Sequence, residues 1–267
     1  MNGKVITITS GKGGVGKTTI TANLGVSLAA NGNKVVCIDG DIGLRNLDVV
    51  MGLENRIVYD LVDVVEERCR IKQAMIRDKR LPDLFLIPAA QTRDKSSVSP
   101  KDMIKLANEL RNEFDWIVID SPAGIERGFK NAIAPADIVC VVTNPEVSAV
   151  RDADRIIGLV EAEEKGPAKL IINRINPALI KRGDMLDADD VIELLAISLV
   201  GLVPEDEEVI VSTNKGYPIA MDNNSITSKA FHNIASRLQG EEIEFISFNE
   251  KSDIFTKLSK MLRSGGE

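Results

Sequence analysis

Two patterns of apolar residues alternate along most of the chain. Short unbroken apolar runs are typical of buried parallel strands, and apolar residues that recur every three or four positions are typical of amphipathic helices. Runs of the first kind predict strands at residues 5–9, 34–39, 84–88, 115–120, 137–142, 168–172 and 198–203. Segments of the second kind predict helices at residues 17–30, 57–76, 101–112, 148–162, 188–197 and 225–238. The chain is therefore expected to form one α/β domain, with a doubly wound, mostly parallel sheet of at least seven strands flanked by helices.

A different amphipathic pattern closes the chain, beyond a domain at residues 1–240 and an acidic linker at residues 241–252. In a helix over residues 253–267, the apolar side chains share an arc of roughly 120°, and they are Ile254, Phe255, Leu258, Met261 and Leu262. The cations elsewhere on this helix are Lys257, Lys260 and Arg263. Two interpretations are open: a last helix docked on the domain, or a membrane-targeting helix in the interface of an anionic bilayer. The terminal position and the basic polar face favour the membrane.

The composition of the chain argues against several classes of protein. The chain has 267 residues, 44% hydrophobic and 27% charged, and its formal net charge of −7 argues against a protein that coats nucleic acid with its whole surface. The three cysteines form no Cys-x-x-Cys pair, so neither an iron–sulfur cluster nor a zinc ion is expected. Cys37 and Cys140 lie in apolar runs and are predicted to be buried. These cysteines favour a reducing cytosol, and because no secretory signal or long apolar run is visible, any contact with a membrane is expected to be peripheral.

The strongest chemical signal lies between the first predicted strand and the first predicted helix. Residues 10–19 read Ser-Gly-Lys-Gly-Gly-Val-Gly-Lys-Thr-Thr and match the phosphate-binding loop Gly-x-x-x-x-Gly-Lys-Thr. Glycines let backbone N–H groups close around a polyphosphate, Lys17 reaches its β- and γ-phosphates, and Thr18 gives an oxygen to Mg²⁺. The predicted nucleotide-binding residues of the loop are Gly11, Gly13, Gly14, Val15, Gly16, Lys17, Thr18 and Thr19. An ordinary glycine-rich turn is the alternative, but it does not explain a full motif with a strand before it and a helix after it.

An acidic segment follows the second predicted strand, at residues 39–48. Asp41 has left the strand and is flanked by two glycines, so we predict that it orients water or the hydrated magnesium ion within a switch segment. Asp39 and Asp48 are equally compatible with this role and with a purely structural one, as a helix cap or in a solvated turn.

A second carboxylate ends the apolar strand at residues 115–120. Asp120 stands where a Walker B strand has its acidic residue, and although such a residue is often only a cap, its combination with the loop favours a magnesium ligand. Residues 121–124 form the second predicted switch. The predicted magnesium ligands are Thr18, Asp41 and Asp120.

A second lysine precedes the one that the motif requires. Lys12 stands at the start of a loop that already contains Lys17, and two ammonium groups on one phosphate group would crowd each other. A role in trans is easier to explain, in which Lys12 reaches the nucleotide of a facing subunit. The pattern Lys-Gly-Gly-x-Gly-Lys-Thr resembles that of the deviant Walker A ATPases, a family whose members dimerise face to face around two ATP molecules. The resemblance implies ATP, Mg²⁺ and a homodimer.

Further stretches extend this resemblance over essentially the whole chain. Residues 39–48, 120–126, 143–148 and 150–155, together with the basic terminus, resemble the MinD branch of this MinD/ParA family. The resemblance implies a P-loop NTPase fold and a slow, partner-stimulated, Mg²⁺-dependent ATPase that positions the division septum. Its ATP-bound homodimer would dock on the cytoplasmic side of the inner membrane, bind anionic lipids and recruit the division inhibitor MinC. MinE, where the organism has it, would stimulate hydrolysis.

The resemblance also implies roles for individual residues. Lys12 would cross the dimer interface, Asp41 would position the attacking water, and Asp120 would be the magnesium-associated switch residue. With Lys17, these are the predicted catalytic residues. The residues expected to hold or border adenine are Asn173, Arg174, Pro204, Glu205 and Asp206. The residues expected on the partner surface are Arg45, Asp152 and Asp154.

Three other classes of protein share parts of this pattern. A ParA-type partitioning ATPase would bind DNA through surface lysines and arginines and lack an amphipathic terminus, so no nucleic acid partner is expected. An electron-transfer or metal-insertion relative would need paired cysteines at a dimer interface. A metabolic P-loop enzyme would need a substrate-specificity segment, which the sequence does not show. His232, the single histidine, is predicted to be structural, which argues against His-based catalysis.

Overall fold

The computed structural model describes residues 3–165 and 167–247, so the predicted tail at residues 253–267 and its candidate membrane residues lie outside the described ranges. Within them, eight strands form one sheet. In chain order the strands are β1 (Lys4–Thr9), β2 (Val35–Asp39), β3 (Ile76–Arg77), β4 (Leu84–Ile87), β5 (Trp116–Asp120), β6 (Ile138–Thr143), β7 (Lys169–Ile175) and β8 (Ser198–Pro204). Their spatial order is β3-β4-β2-β5-β1-β6-β7-β8, and only β3 and β4 pair antiparallel. The predicted mostly parallel sheet is confirmed.

Helices cover both faces of this sheet. In chain order they are α1 (Lys17–Ala30), α2 (Leu47–Met51), α3 (Leu61–Val65), α4 (Ile71–Ala74), α5 (Pro100–Leu110), α6 (Arg127–Ile133), α7 (Val147–Ala162), α8 (Pro177–Arg182), α9 (Ala188–Leu195), α10 (Glu207–Asn214) and α11 (Ile226–Gln239). Alternate side chains of each strand enter opposite cores. Cys37 packs in the core formed with α1 and α11, whereas Val36 and Ile38 pack in the core formed with α5. Cys37 and Cys140 are fully buried, as predicted.

The strand order reverses at β1, and this reversal determines where a ligand can bind. The strands β5, β2, β4 and β3 lie on one side of β1, and β6, β7 and β8 lie on the other side. Doubly wound sheets bind ligands at such a reversal, outside the carboxyl ends of the strands. The glycine-rich loop at residues 10–16 leaves β1 at this edge.

The prediction of a single helix over residues 57–76 is wrong. The structure has two short helices there, α3 and α4, and the chain then pairs with β4 as the antiparallel strand β3. The Asp60 side chain accepts the N–H groups of Val62 and Asp63, which fixes the start of α3. Beyond its end, Glu67 has a φ of 57° and turns the chain out of the helical path. The apolar spacing continues across this break, so periodicity alone does not reveal it.

Apolar spacing also fails to predict the short helices α2, α6, α8 and α10. They have between five and eight residues, so each shows about two turns of the pattern or fewer. The helix predicted at residues 188–197 stops at Leu195 because Ala196 adopts a φ of 51°. In the part of the chain that the structure describes, no helix has the length and apolar character needed to cross a bilayer.

The residues that follow α11 are attached to the domain. Arg237 donates from Nε to the carbonyl oxygen of Ile243 at 3.0 Å and from Nη2 to that of Glu244 at 2.8 Å. Its guanidinium carbon also lies 3.9 Å from the centre of the Phe245 ring. A third bond, from Nη1 to the carbonyl oxygen of Val200 at 3.1 Å, ties this cluster to β8. The first part of the predicted linker is therefore held beside the edge strand of the sheet.

Candidate nucleotide-binding site

The glycine-rich loop at residues 10–16 connects the carboxyl end of β1 to the first turn of α1. Gly14 and Gly16 have φ angles of 80° and 101°, in the left-handed region that residues with a Cβ rarely occupy. Gly16 caps α1, and a Cβ at this position would overlap the side-chain amide of Asn173. The loop therefore requires glycine at both positions. The unpaired N–H groups of the first turn of α1 open towards the same space, as a polyphosphate site requires.

Lys17 is the buried cation of this site. It is the first residue of α1, and only 8% of it is exposed. Burial lowers the pKa of its ammonium group, and the carboxylates of Asp120 and Asp41 oppose part of this shift. An anionic ligand on the loop would stabilise the charged form of Lys17 in the same way. The position and the charge of Lys17 are therefore those expected of a lysine that binds a polyphosphate.

Asp120, at the end of β5, faces the start of α1. Its carboxylate accepts the Oγ1–H groups of Thr18 at 2.7 Å and Thr21 at 3.3 Å. Burial, followed by the nearby carboxylate of Asp39, raises the pKa of Asp120 to about 7. The oxygens of Thr18 and Asp120 are ligands of the kind that Mg²⁺ prefers, and that they hold Mg²⁺ stays a prediction. Thr21 is not predicted from the sequence as a residue of the site. Its spacing of three residues from Thr18, which places both hydroxyls on one helix face, is the signal that indicates it.

Asp39 organises the segment that carries Asp41. Its carboxylate accepts the N–H groups of Asp41 at 3.0 Å and of Asn46 and Leu47 at 3.1 Å each. Burial raises the pKa of Asp39 to about 6, although these hydrogen bonds oppose the shift. Of its two interpretations, the structure favours a cap, because Asp39 holds the first N–H group of α2. Asp41 is half-buried, and its charge acts on Lys17.

Asp48 lies in α2 and forms an ion pair within the same segment. It is fully buried, and the Nε atom of Arg45 lies 2.9 Å from its carboxylate. Burial raises the pKa of Asp48, and the charge of Arg45 opposes this effect. Arg45 has a φ of 34°, and only 18% of its side chain is exposed. The predicted partner residue Arg45 is thus engaged mainly in its own chain.

The second predicted switch, at residues 121–124, is bonded to β1 and to the first residue of the loop. The backbone N–H group of Ser121 donates to the carbonyl oxygen of Ile8 at 3.0 Å, and that of Gly124 donates to Ser10 at 3.3 Å. Gly124 has a φ of 88°, which favours glycine. A change in the loop would therefore be transmitted directly to this segment.

Two of the predicted adenine residues lie at the end of β7. Asn173 is 7% exposed and donates from Nδ2 to the carbonyl oxygen of Val15 at 2.8 Å, which ties β7 to the phosphate-binding loop. Arg174 is exposed and has a φ of 58°, an uncommon backbone conformation for a residue with a long side chain. Strained positions of this kind are concentrated at binding sites.

The remaining predicted adenine residues follow on the neighbouring strand. Pro204 ends β8, and the N–H group of Glu205 donates to the carbonyl oxygen of Ile175 at 2.9 Å. The carboxylate of Asp206 caps α10 and accepts the hydroxyl of Thr227. The structure brings these residues to the same edge as the loop, and the side chain of Asp206 is used for local structure.

Lys12 lies apart from the buried groups of the site. Its side chain is 45% exposed, and its Nζ atom lies 3.6 Å from the carboxylate of Glu146 and 3.4 Å from the hydroxyl of Ser148. Exposed pairs of this kind contribute little to stability. Asp152 and Asp154 lie further along α7, the helix to which Ser148 belongs. Lys12 is therefore accessible to a second molecule, next to the predicted partner surface.

The lone histidine lies outside this site. The Nε2 atom of His232 lies 3.0 Å from the carbonyl oxygen of Ala220, and the side chain is half-buried. This contact agrees with the predicted structural role. In the described ranges, no group of three or more His, Cys, Asp or Glu side chains could together hold a metal ion.

Gly11→Ala is expected to weaken both folding and nucleotide binding. A Cβ at Gly11 would overlap the backbone of Asp152, so α7 or the loop must move, and overpacking of this kind destabilises a protein by about 1–3 kcal/mol. Thermal unfolding and calorimetric titration with ADP measure the two effects. The matched control is Gly158→Ala on α7, where no atom lies within 4 Å and a small gain in stability is expected. Equal behaviour of the two variants would contradict this close packing.

The ligand-free protein is expected to lose stability as the pH rises from about 5 to about 7. The pKa values of Asp39, about 6, and Asp120, about 7, are raised, so the folded state binds protons that the unfolded chain has already released. This stabilisation is present at the lower pH and is lost as the pH rises through the two folded-state values. Urea unfolding across this range measures it, and Asp120→Asn should flatten the profile. A wild-type stability that increases with pH in this window would be the opposite result.

The fold and the loop recur in proteins that are already known. A family model described as the CobQ/CobB/MinD/ParA nucleotide binding domain matches residues 6–219. The septum site-determining protein MinD of Bacillus subtilis is 56% identical over 252 residues, which cover 94% of each chain. The likeness therefore extends well beyond the phosphate-binding loop.

Two solved structures share this architecture. A chain of the MinC:MinD cell division protein complex from Aquifex aeolicus is 47% identical, with a TM-score of 0.86, and the match covers 92% of this chain and 100% of that chain. The septum site-determining protein MinD complexed with Mg-ADP from Pyrococcus horikoshii is 28% identical, with a TM-score of 0.79 and coverage of 88% and 95%. Both similarities therefore extend over most of this chain.

Proposed function

The chain belongs to the MinD group of the CobQ/CobB/MinD/ParA family of nucleotide-binding domains, and from this membership we propose that it is a Mg²⁺-dependent ATPase that dimerises on ATP. The observation that carries the proposal is a phosphate-binding loop with two lysines in different environments. Lys17 is buried among the carboxylates of the site, whereas the side chain of Lys12 is 45% exposed. One lysine thus serves the nucleotide of its own subunit, and the other is free to reach the nucleotide of a facing subunit.

The side chains around the loop match the needs of phosphoryl transfer. Lys17 and the loop N–H groups would hold the β- and γ-phosphates, and Thr18 with Asp120 would hold Mg²⁺. The ion, when bound, neutralises the charge that develops on the phosphates. Asp41 orients the attacking water, and the bond from its N–H group to Asp39 fixes its backbone. Lys12 supplies positive charge in trans, which makes hydrolysis dependent on the dimer.

Exposed apolar side chains around the site support a second copy as the covering partner. Leu44, Ile125 and Val147 are 62%, 46% and 64% exposed. Leu44 lies in the segment that carries Asp41, Ile125 directly follows the second switch, and Val147 is the first residue of α7. Large apolar side chains that surround a polar site are typical of an interaction surface. A face-to-face dimer would bury them together with the nucleotide.

The proposed dimer acts on the cytoplasmic face of the inner membrane. Burial of the five apolar tail side chains, Ile254 to Leu262, would supply about 5–10 kcal/mol, much of it offset by ordering the segment. One tail would therefore bind reversibly, and two tails on one dimer would bind on the order of 10²–10⁴-fold more tightly. ATP would thereby control attachment to anionic lipids.

The proposed partner is the division inhibitor MinC, which the dimer would recruit to position the septum. The Aquifex aeolicus structure named above is described as a MinC:MinD complex, and the Bacillus subtilis relative is described as a septum site-determining protein. In this chain the proposed contact surface contains Asp152, Asp154 and the exposed part of Arg45, which its ion pair with Asp48 holds in place. MinE, where the organism has it, would stimulate hydrolysis from the same surface.

Sedimentation velocity with different nucleotides tests the proposal. The full chain should sediment as a dimer with Mg²⁺ and a slowly hydrolysed ATP analogue, and as a monomer with ADP or when EDTA removes the ion. Duplex DNA is added in a parallel set of runs. Co-sedimentation with DNA in the presence of the ATP analogue would favour a partitioning ATPase instead. A monomer under all conditions would refute the dimer.

A further inference from the structure

A single arginine joins the C-terminal ends of α2 and α10. Arg80 follows β3, and its Nη2 atom donates to the carbonyl oxygen of Met51, the last residue of α2, at 2.6 Å. Its Nη1 atom donates to the carbonyl oxygen of Gly216, just beyond α10, at 2.8 Å. The buried carboxylate of Asp78 accepts both Nε, at 3.0 Å, and Nη2, at 2.6 Å. The carboxylate of Asp78 thus fixes the position of the guanidinium group, and the guanidinium group bonds to both helix ends.

The two helix ends also contact each other through their backbones. Gly52 and Gly216 have φ angles of 67° and 61°, and a Cβ on either would overlap the backbone of the other. The ring of Tyr217 lies 5.6 Å from the guanidinium carbon of Arg80 and covers the junction. Helix C-termini carry partial negative charge, so a cation shared between two of them stabilises both positions.

The first of these helices continues directly from the switch segment at residues 40–46. The carboxylate of Asp39 accepts the N–H groups of Asn46 and Leu47, and so fixes the start of α2, as well as that of Asp41. Because α2 has only five residues, its two ends cannot move independently. Fixing the end of α2 therefore restricts the segment that carries Asp41.

The second helix is attached to the strands on the other side of the loop. The N–H group of Glu205, two residues before α10, donates to Ile175 of β7, and Asn173 of β7 donates to Val15 in the loop. The carboxylates of the site lie on β5 and beside β2, across β1 from these strands. A nucleotide whose phosphates occupy the loop would place its neutral nucleoside away from the carboxylates. The β7 and β8 side, with Asn173, is the side that remains.

We propose that Arg80 is a positioning residue that couples the nucleoside end of the site to the switch segment. The inference rests on the proposed nucleotide-binding function and deepens it. A nucleoside over the ends of β7 and β8 restrains α10, α10 restrains Arg80 through the carbonyl oxygen of Gly216, and Arg80 restrains α2 through that of Met51. Pyrophosphate fills the phosphate cradle but has no nucleoside. Pyrophosphate should therefore not restrain α2 through α10 and Arg80.

Amide hydrogen exchange with two ligands tests the coupling. In the wild-type chain, saturating ADP should slow exchange at residues 46–53 by about 5- to 10-fold more than saturating pyrophosphate does. In Arg80→Ala this difference should disappear, while both ligands still protect the first turn of α1. Arg80→Lys keeps the charge but lacks the planar fork, so it should retain less than half of the difference. The matched control is Lys79→Ala, which removes the neighbouring exposed cation and should behave as the wild type.

The outcomes separate this inference from the function on which it rests. A difference between ADP and pyrophosphate that persists in Arg80→Ala would overturn the coupling, and so would its absence from the wild type. Calorimetry on the same samples reports whether the ligands bind at all, and a chain that binds neither would refute the nucleotide site itself. If Arg80→Ala does not fold, the partial loss in Arg80→Lys supports the coupling, and full retention there contradicts it.

Discussion

Lys12→Ala is expected to abolish ATP-dependent dimerisation and to lower ATP turnover by about 10³-fold or more, the range of a charge supplied in trans to phosphoryl transfer. The fold should be unaffected, because the contacts of Lys12 with Glu146 and Ser148 lie at the surface. Nucleotide binding by the single subunit should change little, since Lys17 is the lysine buried at the loop. Phosphate release and sedimentation velocity with Mg²⁺ and ATP measure turnover and dimerisation separately.

A matched variant shows whether this loss is specific. Lys130 also forms an exposed ion pair, with Glu163 at 2.7 Å, and Lys130→Ala should leave both turnover and dimerisation unchanged. A Lys12→Ala protein that still dimerises with ATP would show that this lysine does not act across the interface. Turnover at the wild-type rate by a monomeric variant would also contradict the requirement for two subunits.

Removing residues 253–267 is expected to abolish binding to anionic liposomes and to leave ATP-dependent dimerisation in solution intact. The tail holds the predicted apolar stripe and its cations, while the described contacts of the nucleotide site all lie before residue 240. Liposome sedimentation and sedimentation velocity measure the two properties on the same sample. Retention of the truncated chain on liposomes would place the membrane contact elsewhere in the molecule.

Two point variants separate insertion from simple charge attraction. Leu258 lies near the centre of the predicted apolar stripe, and Thr256 lies on the opposite side of the helix, because successive residues are about 100° apart. Leu258→Glu and Thr256→Glu change the net charge equally. Leu258→Glu should lose liposome binding almost completely, and Thr256→Glu should lose only the part that depends on charge. Equal losses would indicate that no apolar face enters the bilayer.

The central strands and the loop follow from sequence because their signals are local. Strands β2 and β5 are unbroken apolar runs that each end in aspartate, β1 combines valine and isoleucine with threonine, and both faces of these strands are covered. The loop needs glycine at Gly14 and Gly16 for backbone reasons that hold in any chain. Their order along the chain also fixes where they meet, since parallel strands present their carboxyl ends at one edge.

The features that sequence reasoning misses depend on contacts between distant residues. Helix α2 starts where the carboxylate of Asp39 receives its N–H groups, and nothing in its five residues shows that support. The break after α3 depends on the cap by Asp60 and on the pairing of β3 with β4. Asn173 meets the loop through a carbonyl oxygen 158 positions earlier in the chain, and Arg80 meets Gly216 over 136 positions. The pattern of neighbouring residues does not indicate contacts between residues that are so far apart in the chain.

Co-sedimentation of the full chain with anionic liposomes, in Mg²⁺ with either ATP or ADP, tests most directly whether the nucleotide controls attachment to the membrane. With ATP, two tails on one dimer should bring most of the protein into the liposome pellet. With ADP, the monomer should stay in the supernatant. Equal binding with both nucleotides would contradict the coupling of the triphosphate, through the dimer, to the membrane.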